Sequence, residues 1–211
     1  LRISVRWLYT RHTITEPNKV STMLKYIISK LVVLSNKFSQ IVDEYDASET
    51  HQAFLTVISE LKDHLLGDEE TSSKFLESKE LQSLLSMDYS KIAIPLLQTV
   101  EVAMRKAWES SKLEASSVDL WNLIQILLCK LKKDDVSLLS ATMKCLVFLM
   151  EHNPTLCVMI CEHHPDLNKR AQSLEKSTHN SCRWIAARLA LLTKVGFVVK
   201  LLFFSTVNKI T

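Results

Sequence analysis

Cys157, Cys161 and His164 stand at i, i+4 and i+7, a spacing that would gather two thiols and an imidazole on one face of a helix. With His152 nearby in the chain, a four-ligand zinc site can be drawn from them. The residues between the cysteines are Val158, Met159 and Ile160, and structural zinc sites usually take one ligand pair from a turn, so thiols packed in an apolar core explain the same spacing. No metal is expected. A cysteine or serine nucleophile needs a histidine brought to it in space, and none of the seven histidines is singled out by its spacing. No catalytic residue and no cofactor is therefore assigned. Asp63, Asp68, Glu69 and Glu70 cluster carboxylates without the ligand spacing or central glycine of a calcium loop, which reads as a solvated acidic turn. Leu81-Gln82-Ser83-Leu84-Leu85 has the LxxLL form by which a helix enters a receptor groove. Leucines at i, i+3 and i+4 are equally the inward face of a packed helix, and that is the expectation here.

The elements that must position such residues are helices. In residues 118–131, Leu120, Leu123, Ile124, Leu127, Leu128 and Leu131 recur with helical spacing, and Val136, Leu139, Met143, Leu146, Val147 and Met150 do the same further on. Lys132-Lys133-Asp134-Asp135 separates them, with Asp134 or Asp135 placed to cap the second helix. The result is an antiparallel pair, apolar over too wide an arc to be covered by itself. The same periodicity predicts a long helix over 17–45, with Pro17 at its first position, and one over 49–66 stopped near Gly67. Short helices are expected at 71–77 and 79–86, then a helix over 89–113 in which Pro95 falls early enough for a first turn. Helices at 155–163, 166–176 and 182–195 complete the set, with Asn153-Pro154, Pro165 and the polar run 177–181 as breaks. Residues 1–12 fit either a helix or a strand.

Composition narrows the class. A chain of 211 residues with 47% hydrophobic content folds around a sizeable core. Its two glycines, Gly67 and Gly196, leave almost nothing for phosphate-cradling loops or primed hairpin turns, which argues against nucleotide-binding enzymes. Cys129, Cys145, Cys157 and Cys161 lie among aliphatic residues in helical patterns, as reduced core thiols do. The only Asn-x-Ser/Thr triplet, Asn153-Pro154-Thr155, contains a blocking proline. The chain starts at Leu1, and Arg2, Arg6 and Arg11 interrupt any signal-peptide hydrophobic region. These features point to an intracellular protein, cytoplasmic or nuclear, and to either a single helical domain or a piece of a longer one. Net charge is only +3, but residues 41–90 are strongly acidic while both ends are basic. The apolar run 195–204 is interrupted by Lys200 and is too short for a bilayer crossing, which takes about 20 residues. It is expected as a last packed helix or as an exposed adhesive tail.

Displaced by 45 residues, Ala141, Cys145, Leu146 and Val147 match Ala186, Ala190, Leu191 and Leu192. That spacing lies within the period of about 40–47 residues of armadillo and HEAT units. The order of helix, Lys-Lys-Asp-Asp turn, Ala-rich helix, Asn-Pro turn and short helix resembles the second and third helices of one armadillo repeat followed by the first of the next, over about residues 118–195. The resemblance implies an all-α solenoid of nine or ten helices, irregular over 1–113, armadillo-like over 118–195 and ending in the apolar tail 196–211. It also implies a non-catalytic scaffold binding a peptide or helix of another protein. Importin-type armadillo proteins carry Trp and, four residues later, Asn on the third helix, where the Asn holds the ligand backbone. Here Trp184 is followed at that distance by Arg188, so a reader of nuclear-localisation signals is not implied. The partner-binding candidates are Lys144, Arg183, Trp184 and Arg188, since Trp and Arg dominate binding hot spots. The simpler expectation makes Trp184 core filler with the arginines in solvent.

Two other classes compete with the scaffold. One is a nucleic-acid-associated nuclear scaffold, of the kind found in chromosome or meiotic biology, neutralising phosphates with Arg2, Arg6, Arg11, Lys169, Arg170, Arg183 and Arg188. The other is an enzyme with an unrecognised helical active site, for which no residue speaks.

Overall fold

The computed structural model describes residues 17–41, 44–87, 89–109, 118–176 and 180–207, nearly all of them helical, with no strand among them. The expectations for residues 1–12 and for Arg2, Arg6 and Arg11 lie outside these, as do residues 110–113 of the helix expected over 89–113. Ten helices are described, α1 Pro17–Gln40, α2 Glu44–Gly67, α3 Glu69–Leu76, α4 Lys79–Ser86, α5 Ser90–Glu109, α6 Val118–Lys130, α7 Val136–His152, α8 Pro154–His163, α9 Leu167–Glu175 and α10 Asn180–Val207.

Their ends follow side-chain chemistry. Asp68 caps α3 by accepting from the Thr71 N–H at 2.9 Å and from the Thr71 hydroxyl, which gives one member of the acidic cluster a structural task. Ser78 caps α4 through the Leu81 N–H at 3.2 Å. Asp135, the second of the two candidates, caps α7 by accepting from the N–H groups of Ser137 at 2.9 Å and Leu138 at 3.0 Å. Asn153 ends α7 and caps α8, accepting from the Leu156 N–H at 3.0 Å, with Pro154 at the first position.

Three expectations are corrected. The first helix stops at Gln40 rather than continuing to Tyr45, which belongs to α2. The apolar period runs across the break, but near it the Ser39 hydroxyl bonds the Asn36 carbonyl at 2.7 Å, a local bond of the kind that competes with helix propagation. Pro95 is not in a first turn; it lies inside α5. The N–H it lacks would have met the Lys91 carbonyl, and His51 on α2 donates there instead from Nε2 at 3.1 Å. The tail is not separate either, because α10 runs unbroken from Asn180 to Val207. Gly196 interrupts nothing and lets α8 come close, since a Cβ there would lie 2.8 Å from Cys161 Sγ and 3.1 Å from Cys157 Sγ.

Packing sets one row of helices against a second layer. α2 packs on α5, α5 on α7 and α7 on α10, and these four begin at Glu44, Ser90, Val136 and Asn180, intervals of 46, 46 and 44 residues. α3 packs on α2 and α5, α1 and α4 pack on one another, α6 covers α4 and α7, and α8 and α9 cover α10. α7 buries most of its circumference, from Leu138 and Leu139 through Thr142 and Met143 to the run Cys145–Met150, and leaves a stripe through Ser137, Ser140 and Lys144 open. Polar ties close the seams. Cys145 Sγ reaches the Leu97 carbonyl at 3.4 Å, Cys182 Sγ the Val136 carbonyl at 3.3 Å, and the buried Lys130 ammonium donates to the Met87 carbonyl at the end of α4 at 3.0 Å. Leu81, Leu84 and Leu85 of the LxxLL stretch are buried, so that stretch is core. Cys129, expected as a core thiol, is exposed, and so is Leu66 at the end of α2.

Candidate partner-binding cleft

Lys144, Trp184 and Arg188 line one cleft of about 500 Å³ on the outer side of the α5–α7–α10 row. The core-filler expectation for Trp184 is overturned, because its side chain is 55% exposed. The inward positions of α10 are held by Cys182, Ile185, Ala186 and Leu189, which turns Trp184 and Arg188 outward on the helical period. Arg183 is exposed but does not line the cleft.

α5 contributes Glu101 and Arg105, and α7 contributes Phe148, Glu151 and His152 besides Lys144. The Arg105 guanidinium bonds Glu101 at 2.8 Å and lies 5.1 Å from the Phe148 ring, a cation–π placement. Arg188 pairs with Glu151 across the α7–α10 seam. The His152 ring stacks on Phe148 at 4.2 Å and meets Trp108 edge-on at 5.3 Å. Its Nδ1 lies 2.9 Å from the Phe148 carbonyl, which fixes the ring. Lys144 is exposed and has no ion-pair partner among the described residues. A narrower groove of about 300 Å³ continues the cleft between α5 and α7, past Gln98, Ser137 and Ser140, and shares Glu101 and Lys144 with it. The whole is an open channel with aromatic walls, two ion pairs and one cation without an ion-pair partner among the described residues.

Arg105 and Phe148 were not singled out in the sequence, and His152 was named only as a possible zinc ligand. Glu101 and Arg105 at i and i+4 carried the one available signal, a surface ion pair; Phe148 and His152 look like any other core and helix-end residues.

The zinc drawing does not assemble. Cys157 and Cys161 face α10, their sulfurs 3.5 Å and 3.6 Å from the Leu192 and Thr193 carbonyls. His164 turns to α6, accepting from the Gln125 amide at Nε2 at 3.1 Å, and His152 is in the cleft. No group of three His, Cys, Asp or Glu suited to a metal is found among the described residues. Burial pushes the Cys145 thiol far above the usual range, and the hydrogen bond that Cys161 donates to Cys157, with burial, raises Cys161, which makes both poor nucleophiles, while the same bond lowers Cys157. Burial, then the neighbouring His163 and Lys132, lowers His164. Cys129, exposed, lines a second hollow of about 390 Å³ with His163, His164 and Arg170.

Of the proposed phosphate contacts, Arg2, Arg6 and Arg11 lie outside the described residues. Arg170 spends its guanidinium on the Leu131 and Lys133 carbonyls at 2.9 Å and 3.3 Å, closing the α6–α7 turn, and Lys169 pairs with Asp166 at 3.7 Å. No helix among the described residues is long and apolar enough to cross a membrane. No protein-family model matches the chain, and no curated protein matches it significantly.

Proposed function

We propose that the chain is an armadillo- or HEAT-type repeat scaffold, not an enzyme, and that the α5–α7–α10 cleft holds a segment of a partner protein. The recurrence of the row helices at 46, 46 and 44 residues supports the repeat reading, because it continues the 45-residue displacement through four units. The five cysteines, all free thiols, support an intracellular setting, cytoplasmic or nuclear. The observation that carries the binding role is the Trp184 indole, more than half exposed at a cleft whose wall includes Phe148 and whose Lys144 lacks a counter-charge. An exposed tryptophan beside arginines is the composition of a hot spot. The segment it fits presents an apolar side chain to Trp184 and a carboxylate to Lys144.

A displayed library of random peptides selected on the intact protein tests this. Selected peptides should carry an acidic residue near an apolar one and lose about tenfold or more in affinity to Trp184→Ala and to Lys144→Glu. Peptides that bind both variants as tightly as the parent, or a library that yields no binder, overturn the reading. The nucleic-acid alternative rests on the exposed Arg183 and the basic ends, and it requires duplex binding that weakens steeply with salt.

A further inference from the structure

α10 carries a second surface beyond the cleft. Trp184, Arg188, Leu191, Val195 and Val198 follow one another at intervals of four, three, four and three, the spacing that keeps side chains on one line and forms the seam of paired helices. The apolar members are open to solvent, 61% at Leu191, 48% at Val195 and 54% at Val198 besides Trp184. The opposite side of the helix is occupied, with Ile185, Ala186, Leu189 and Ala190 buried where α7, α8 and α9 pack on α10. What remains is a narrow apolar line that begins at the cleft, with Trp184 and Arg188, and runs past its boundary.

Charge selects what can cover it. α10 contains Arg183, Arg188, Lys194 and Lys200 and no acidic residue. Arg188 stands in the line already paired with Glu151, and the exposed Arg183 and Lys194 border it as the cations left to a partner. Two copies of α10 laid together would set cation against cation with no carboxylate on either helix. Head-to-tail stacking of one copy on another fares little better, since the outward positions of α2 are Gln52, Thr56, Ser59, Asp63 and Leu66, a single apolar side chain to set against Leu191, Val195 and Val198. A bilayer surface takes a helix with one broad apolar face free, whereas the other sides of α10 are packed into the fold.

We propose that this line is a docking seam for an amphipathic helix of a partner protein, with apolar residues at heptad spacing and Asp or Glu beside them. It rests on the reading of the chain as a partner-binding scaffold, but on Leu191 and Val195, which lie outside the cleft.

The test is fluorescence anisotropy of a labelled three-heptad peptide, Leu at the seam positions and Glu at the flanks, titrated with the full chain; a peptide with Lys at the flanks is the control. The Glu peptide should bind, weakening as salt rises, and the Lys peptide should bind about tenfold less tightly or worse. Leu191→Ser and Val195→Ser should each cost about tenfold in affinity for the Glu peptide, with thermal melts unchanged, and Ser59→Asp on α2 should cost nothing. Equal binding of the two peptides, binding indifferent to Leu191→Ser and Val195→Ser, or no binding overturns the proposal. So does sedimentation showing a dimer, or flotation on phosphatidylserine vesicles, that Leu191→Ser abolishes. Library peptides sensitive to Lys144→Glu but not to Leu191→Ser would leave the cleft standing while the seam falls, and the opposite pattern would remove the cleft alone.

Discussion

α2 and α10 stand at the two ends of the same row, and each buries one face: Phe54, Ile58, Leu61 and Leu65 on α2, Ile185, Ala186, Leu189 and Ala190 on α10. Their outer faces differ. On α2 the outward positions read Gln52, Thr56, Ser59, Asp63 and Leu66, and on α10 the same spacing reads Trp184, Arg188, Leu191, Val195 and Val198. The inner face of a packed helix is dictated by the core, so it says little about the helix's surroundings. Only the outer face is free to vary, and there composition records what the helix meets. Stacked helical arrays end in a polar outer face where they meet water. α2 has that composition and α10 does not.

The largest effects should come from the faces that agree. Leu65→Ala and Leu189→Ala each empty a fully buried site and should each cost about 2–5 kcal/mol in chemical denaturation. Similar losses would confirm that both ends belong to one core; a loss under about 1 kcal/mol at Leu189 alone would mean that α10 is loosely attached and break the comparison.

Within the row, Asp135 joins the N-terminus of α7 to α5. The Ser90 hydroxyl, then the Leu138 N–H, hold its carboxyl below the ordinary value of 3.8 against the opposing effect of burial. A lowered acid stabilises the fold while ionised, so its contribution is full above the unfolded value and drains away as pH falls through the folded one. Asp135→Ala should therefore cost about 1 kcal/mol at neutral pH, the usual worth of such a cap. The gap between variant and parent should narrow below about pH 4, and a gap constant down to pH 2 would show that the charge plays no part.

These cases also mark what sequence patterns could and could not reveal. The helix pair around Lys132–Asp135, a cap at Asp134 or Asp135, the break at Asn153-Pro154 and the short helices α3, α4, α8 and α9 were legible because they depend on neighbours within one or two turns. Three of the four binding candidates converged on one cleft because outward polar and aromatic positions follow the same period as the core. The interior place of Pro95 was not legible, since the donor that satisfies Lys91 is His51, forty residues away. The end of α1 at Gln40 was hidden because Ile41 and Tyr45 keep the apolar period beyond it. The exposure of Trp184, Cys129 and Leu66 was hidden too, because a large residue on a helical period looks the same whether a neighbour covers it or not.

The two glycines sharpen the contrast between the ends. Gly67, at the end of α2, has open space where a Cβ would go, so Gly67→Ala should leave stability unchanged or raise it by up to about 1 kcal/mol through the unfolded chain. At Gly196 the same Cβ would press on Cys161 Sγ at 2.8 Å, inside a packed seam. Overpacking costs about 1–3 kcal/mol and alanine's better helix propensity returns about 1, so Gly196→Ala should destabilise by roughly 1 kcal/mol. Adding Cys161→Ala removes the sulfur in the way, and the double variant should lose less than the sum of the single losses. Strict additivity in that cycle would show that α8 and α10 are not in close contact there.

The smallest effect on stability separates the outer faces most directly. Leu66 on α2 and Leu191 on α10 are almost equally exposed, 58% and 61%, so neither Leu66→Ser nor Leu191→Ser should shift stability by more than about 0.5 kcal/mol. Their neighbours differ. Leu66 follows Asp63 and Ser59 along its line, a single apolar side chain of the kind any surface carries, whereas Leu191 lies between Trp184 and Val195. In anisotropy titrations with the Glu-flanked peptide, Leu191→Ser should cost about tenfold in affinity and Leu66→Ser nothing. If both leave binding unchanged, the α10 line does not act as one patch, and the asymmetry between the two ends loses its physical meaning.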